Sequence, residues 1–169
     1  LKAAQPGTEG AQLAAMVDAD EAERVRAMVD DALAKGATLA AGSAEVQGAV
    51  MQPAIIDSVT SDMRLGCEES FGPVVTIVRV ASDEEAVAQA NATEYGLTAA
   101  VHSRDVGRAM AVARQIQSGI CHINGPTVAD EAQMPFGGVK ESGLGREGSK
   151  YGIDEFVEIK YITMAGLGS

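Results

Sequence analysis

The side chains best suited to chemistry in this chain lie in a few short stretches. Glu68-Glu69-Ser70-Phe71-Gly72-Pro73 sets two carboxylates beside an aromatic ring, just before a run of β-branched residues. A carboxylate so placed can accept hydrogen bonds from sugar hydroxyls while the ring packs on a flat heterocycle. On composition alone the plainer reading is favoured, an acidic turn that leads into a strand. Gly143-Leu144-Gly145-Arg146-Glu147-Gly148 has the glycine spacing of a dinucleotide fingerprint. That fingerprint needs a strand directly before it and an acidic residue about 20 positions later. Here residues 136–142 read as loop and no acidic residue lies beyond Glu158, so the match is taken as accidental. His102 and His122 have no Cys, Asp or Glu at ligand spacing, and no metal site is expected. Cys67 and Cys121 are too few and too far apart for a disulfide scaffold and form no CxxC pair. Cys121 stands where a strand takes a small apolar residue, and Cys67 has no neighbouring base or helix N-terminus to lower its pKa, so both read as inert thiols.

These residues need a scaffold, and hydrophobic periodicity supplies one. Between Asp20 and Lys35, Ala22, Val25, Met28, Val29, Ala32 and Leu33 fall on one helical face, with Gly36 as terminator. Thr38 to Ala41 and Val50 to Val59 read as edge or irregular strands, the second because Pro53 interrupts it. Val74 to Val80 is nearly continuous in apolar residues, the pattern of a strand covered on both faces. Ser82 and Glu85 form a capping box that opens a helix with Ala86, Val87 and Ala90 inward. Leu97 to Val101 is a further strand. A helix capped within Ser103 to Asp105 follows, with Val106, Met110, Ala113 and Ile116 on one face, and then a strand over Ile120 to Asn124. Strand, helix, strand, helix, strand with short connections predicts an α/β fold, a parallel sheet with helices on both faces. Gly125 to Gly148 has no apolar period and reads as a long loop, a common place for function. Residues 155–163 alternate as a strand with no hairpin partner, a candidate for pairing across a subunit boundary.

Bulk properties exclude several classes. With 169 residues and 46% apolar content, the chain has material for a globular core. A net charge of −11 repels phosphate backbones and anionic lipid, so neither nucleic acid nor membrane is an expected partner. No apolar stretch is long enough for a transmembrane helix. Residues 1–7 have one lysine and no apolar core of a signal peptide, and with the sparse cysteines this gives a cytoplasmic expectation. The missing initiator methionine points to a fragment.

Four ordered stretches together are more specific than any one. Glu68 to Pro73, Tyr95-Gly96-Leu97-Thr98-Ala99-Ala100-Val101, Ile123-Asn124-Gly125-Pro126 and Pro135-Phe136-Gly137-Gly138-Val139-Lys140-Glu141-Ser142-Gly143-Leu144-Gly145-Arg146-Glu147 occur in the order and spacing of the aldehyde dehydrogenase superfamily, whose C-terminal portion this chain resembles. The resemblance reverses the plain reading of the acidic turn. It implies NAD, with NADP possible, as cofactor. Glu69 would then hold the nicotinamide ribose hydroxyls and Phe71 would pack near the nicotinamide. Phe136 would line the substrate tunnel, and the loop from Asn124 to Met134 would shape its mouth. The wording from Ile123 to Phe136 is most similar to bacterial salicylaldehyde, vanillin and benzaldehyde dehydrogenases, which implies a small aromatic aldehyde as substrate. Residues 1–150 would form part of the catalytic domain, with turn 68–73 and loop 124–148, and residues 151–169 an arm whose strand 156–163 pairs a homo-oligomer. The family's nucleophilic cysteine, its general-base glutamate and its cofactor domain would lie before Leu1. The chain alone is therefore expected to be inactive and, with sheet edges unpaired, to self-associate. A non-catalytic α/β interaction module derived from the same fold is the alternative reading.

Overall fold

A computed structural model of the chain describes residues 1–129 and 131–166. The fold is α/β and divides into two compact units, Leu1–Val80 and Ala81–Ser169.

The first unit is organised by α1 (Ala19–Ala34). Asp18 caps it by accepting from the Glu21 N–H at 2.8 Å, and Asp20 and Glu21 complement the helix dipole in its first turn. Gly36, at φ +103, ends it as the sequence predicts. Ala22, Val25, Met28, Val29 and Ala32 are buried, whereas Leu33 stays 36% exposed at the flank of the stripe. The strands are β1 (Thr38–Gly42), β2 (Val46–Gln47), β3 (Val50–Met51) and β4 (Ala54–Asp57), with α2 (Arg64–Cys67) leading to β5 (Val74–Ile77). β2 and β3 form a small antiparallel ladder.

Part of the Val50 to Val59 stretch, expected to be an edge or irregular strand, is the middle of its sheet. β4 lies between antiparallel β1 and parallel β5, with Ile56 opposite both Leu39 and Thr76. Pro53 does no harm because it precedes the first ladder residue, and its carbonyl accepts from the Ser43 N–H at 3.3 Å. Ala54 and Ile56 alternate inward to join Val25, Met28, Val29, Met51 and Val59 in the core. β5 is shorter than expected, and Val75, Ile77, Val78 and Val80 are exposed. Among the described residues only one of its faces is covered.

Asp31 on α1 supplies the cap that α2 lacks. Its carboxylate accepts from the Arg64 N–H at 2.9 Å and pairs with Lys35 at 3.0 Å, while the N-cap residue Met63 offers no side-chain bond. The Arg64 N–H, then the Lys35 ammonium, hold the Asp31 carboxyl below its ordinary value. A carboxyl lowered by folding stabilises above its unfolded pKa, roughly 4, and that contribution is lost as pH falls through the folded value. Asp31→Asn should therefore flatten the acid limb of the stability profile, read by urea midpoints between neutral pH and pH ~3. An unchanged acid limb would contradict this assignment.

The second unit contains α3 (Asp83–Asn91), β6 (Tyr95–Gly96), β7 (Thr98–Val101), α4 (Val106–Ala113), β8 (Ile120–Ile123), β9 (Val139–Lys140) and α5 (Ser149–Asp154). β7 and β8 are parallel, joined through α4, in the register Thr98 to Ile120 through Val101 to Ile123. β5 thus finds its parallel partner upstream and β7 finds its own downstream. Ser82 accepts from the Glu85 N–H at 3.2 Å, and Glu85 reaches back to the Ala81 N–H at 2.7 Å, one residue before the cap. Asp105 caps α4 through the Arg108 N–H at 3.0 Å.

Four expectations need correction here. Val106 and Met110 are exposed, and the stripe of α4 turned from solvent runs through Ala109, Val112 and Ala113, with Ile116 just beyond the helix. No residue of α3 is fully buried. The stretch 125–148 is not loop throughout: β9 pairs antiparallel with β6, and Phe136 bridges Glu147. Such one- and two-residue ladders are held by main-chain bonds and leave no apolar period to detect. Finally, residues 155–163 form no strand in this chain, because no backbone partner lies beside them among the described residues. Phe156, Ile159 and Tyr161 are each about nine-tenths exposed.

Candidate functional site

The acidic turn of the first unit is built by α1 and α2. Arg64 grips Glu68 through Nε to Oε1 at 2.9 Å and Nη2 to Oε2 at 3.0 Å, one helical turn apart. That guanidinium holds the Glu68 carboxyl below its usual range. Glu69, next to it, is exposed and makes no side-chain hydrogen bond among the described residues. Of two adjacent carboxylates, one is committed to structure and the other is presented to solvent.

The rest of the turn is fixed at both ends. Arg24 Nη2 donates to the Ser70 carbonyl at 2.8 Å. Gly72 packs so closely on α1 that a Cβ there would lie 2.8 Å from Val25 Cγ1. Pro73 O accepts from the Ala54 N–H at 3.1 Å, tying the turn to β4. Between these anchors Phe71 sits at φ +47 with 77% of its surface exposed. A bulky residue in the left-handed region costs on the order of 1–3 kcal/mol, and such strain persists only where the surroundings impose it.

In the second unit the loop after β8 starts from Asn124, at φ +57. Asn tolerates that region better than most residues. Its Nδ2 donates to Ser103 O and its Oδ1 accepts from the Ser103 N–H, both at 2.9 Å, which locks the exits of β7 and β8 together. Farther along, Phe136 and Glu147 exchange two main-chain bonds of 2.9 and 2.8 Å. Arg146 Nη1 donates to Gly138 O at 2.7 Å and Gly145 O at 2.6 Å, drawing the glycine turns together. Phe136, half-buried, then lines a concavity of about 530 Å³ with Leu97, Leu144 and Phe156. Arg146 and Glu155 are polar groups on its wall. The Gly143 to Gly148 stretch follows a two-residue antiparallel strand and opens no parallel βαβ unit.

The two cysteines differ in their surroundings. Burial pushes the Cys121 thiol up, away from the thiolate. Cys67 Sγ is spent on the Met63 carbonyl at 3.4 Å. His122 Nε2 is buried with no hydrogen-bond partner among the described residues. The anchoring roles of Arg24, Asp31, Arg64 and Arg146 were missed from sequence. Only the Arg64 to Glu68 spacing carried a local signal. The others act across loops, and Arg24 reaches a carbonyl 46 residues away.

The first unit thus carries a strained aromatic turn and the second, by itself, a glycine-rich aromatic turn. Residues 1–162 match the aldehyde dehydrogenase family model, and the chain belongs to that family. It is 51% identical over 164 residues to vanillin dehydrogenase from Pseudomonas sp. (strain HR199 / DSM 7063), covering 97% of this chain and 34% of that protein. Among solved structures it resembles salicylaldehyde dehydrogenase from Pseudomonas putida G7 complexed with salicylaldehyde. That match has a TM-score of 0.89 at 41% identity and covers 96% of this chain and 33% of the other. It also resembles an NAD-dependent aldehyde dehydrogenase from Sinorhizobium meliloti, with TM-score 0.85 at 36% identity over 96% of this chain and 33% of that one. The chain spans about a third of the length of these relatives. No helix among the described residues is long and apolar enough to cross a membrane.

Proposed function

We propose that this chain is the cofactor-contacting and tunnel-lining third of a cytoplasmic, NAD(P)-dependent aldehyde dehydrogenase that oxidises an aromatic aldehyde to its carboxylic acid. The observation that carries the reading is Phe71, an exposed ring held in a disfavoured backbone conformation beside the uncommitted carboxylate of Glu69. A flat ring and an acceptor-only carboxylate suit a nicotinamide riboside, with Glu69 accepting from ribose hydroxyls and Phe71 packing near the base. When bound, the nicotinamide supplies the hydride acceptor. Phe136 offers its ring to the aldehyde, and Asn124 holds the loop 124–134 that shapes the tunnel mouth. The nucleophilic cysteine and the base that activates water belong to segments this chain does not contain, so by itself it is inactive. In this reading residues 1–150 complete the catalytic domain and residues 151–169 form an arm. The exposed 156–163 segment pairs with another copy as a strand, which would satisfy its backbone and cover its aromatic residues. NAD is the first choice of cofactor, given the Sinorhizobium relative, and NADP the second.

The reading is tested in a chimera that carries this chain in place of the matching third of the Pseudomonas vanillin dehydrogenase. The chimera should reduce NAD+ with vanillin or salicylaldehyde. Glu69→Gln should raise the KM for NAD+ about tenfold, the value of roughly one charge-assisted hydrogen bond. A folded chimera that reduces neither NAD+ nor NADP+, or an unchanged KM in the variant, would refute it.

A further inference from the structure

Lys140 has no role in the function so far derived, yet its side chain is tied to main chain more than 40 residues away. It is exposed and held at φ +55, a region that disfavours any residue with a Cβ. Its Nζ donates to the Asn91 carbonyl at 2.8 Å and the Thr93 carbonyl at 2.9 Å. Asn91 is the last residue of α3, so the ammonium sits where helix carbonyls lack partners and the helix dipole is negative. No carboxylate pairs with Nζ among the described residues, and both bonds go to main chain.

The same asparagine is committed on its other side. Asn91 Nδ2 donates to Gln115 O, and its Oδ1 accepts from the Gln117 N–H, both at 2.8 Å, in the connection between α4 and β8. Next to Lys140, Glu141 N donates to Glu94 O at 3.0 Å and Gly96 N donates to Ser142 Oγ at 2.9 Å. One ammonium therefore fastens Lys140 of β9, four residues beyond Phe136, to the C-terminal end of α3, and the Asn91 side chain ties that end to the connection after α4.

We propose that Lys140 is a positioning residue whose ammonium clamps the strand carrying the Phe136 turn, and so sets where that ring stands in its concavity. The assignment of Phe136 to an aldehyde tunnel rests on the proposed function; the clamp does not. An ammonium satisfies two converging carbonyls that a thioether cannot, so Lys140→Met removes the clamp while keeping the stem. Lys140→Gly removes the clamp and the backbone strain together.

The test is amide hydrogen exchange on the full 169-residue chain. Both variants should speed exchange at the Phe136, Glu141 and Glu147 amides by about tenfold or more, the cost of bonds to a charged group. The amides of Asn124 and of α1 should stay within about twofold. Unchanged exchange at the first set, or an equal rise everywhere, would overturn the proposal. If neither variant folds, a chemical rescue decides. Lys140→Cys in a Cys67→Ser, Cys121→Ser background is alkylated with bromoethylamine, which rebuilds an ammonium, or with iodoacetamide, which does not. Protection should return only with the first reagent, and equal protection from both would sink the idea. In the chimera, Lys140→Met should raise the KM for aldehyde and leave that for NAD+ unchanged. A chimera inactive with Lys140 in place counts against the proposed function, not against the clamp.

Discussion

Gly119→Ala is expected to lower kcat/KM for the aldehyde by on the order of 100-fold, the scale at which misplacing a reacting group by about 1 Å is felt. Gly119 precedes β8, and its N–H donates to Gly96 O at 3.0 Å. An added Cβ would overlap the Gly137 carbonyl oxygen, lying 2.7 Å from Gly137 C and 3.0 Å from Gly138 Cα. The obstacle is main chain and cannot rotate away, so the Phe136 turn must move. Conformational strain is not the cause, since the glycine does not occupy the left-handed region. Gly125→Ala is the matched control: its Cβ would meet only His122 Cβ, at an ordinary 3.8 Å, and the rate should stay within about twofold. Steady-state kinetics of the two chimeras decide the matter. A Gly119→Ala enzyme with half or more of normal activity would mean that Phe136 does not report the position of its own turn.

Met28→Ala is expected to destabilise the first unit by about 2–5 kcal/mol, the range for removing a long buried side chain and leaving a cavity. Met28 is fully buried at the centre of the α1 stripe, and its sulfur accepts from Arg24 Nη1 at 3.3 Å. Arg24 is the residue that holds the Ser70 carbonyl, so the loss loosens the acidic turn as well as the core. Circular dichroism with urea measures the change. Met110→Ala, at a position 43% exposed, should cost less than about 1 kcal/mol. Equal effects at the two methionines would show that α1 is not the axis of this unit.

The contrast between these methionines shows what could be read in advance. Met28 lies in a sixteen-residue helix whose apolar stripe is long enough to identify its inner face. Met110 lies in an eight-residue helix, where two neighbouring stripes fit the pattern almost equally well, and packing on β7 and β8 selected Ala109 instead. Pro53 misled for a related reason. A proline excludes a central strand only from the position it occupies, and β4 begins one residue later. At the turn, the sequence shows two equivalent glutamates, and only Arg64 distinguishes Glu68 from Glu69.

By itself the sequence determined the α/β class, the helix caps at Ser82 and within Ser103 to Asp105, and the buried stripe of α1. It also placed an acid beside an aromatic at residues 68–73 and a glycine-rich turn around Phe136. All of these are local patterns, set by side-chain period, capping chemistry and turn preference. Tertiary structure alone decided that β4 is central, that Asp31 caps a helix other than its own, and that Phe71 is held exposed in a strained conformation. It alone brought Lys140 and Arg146 onto carbonyls of other segments. Those outcomes depend on which main-chain groups remain unpaired after the elements have packed, and no periodicity along the chain records that.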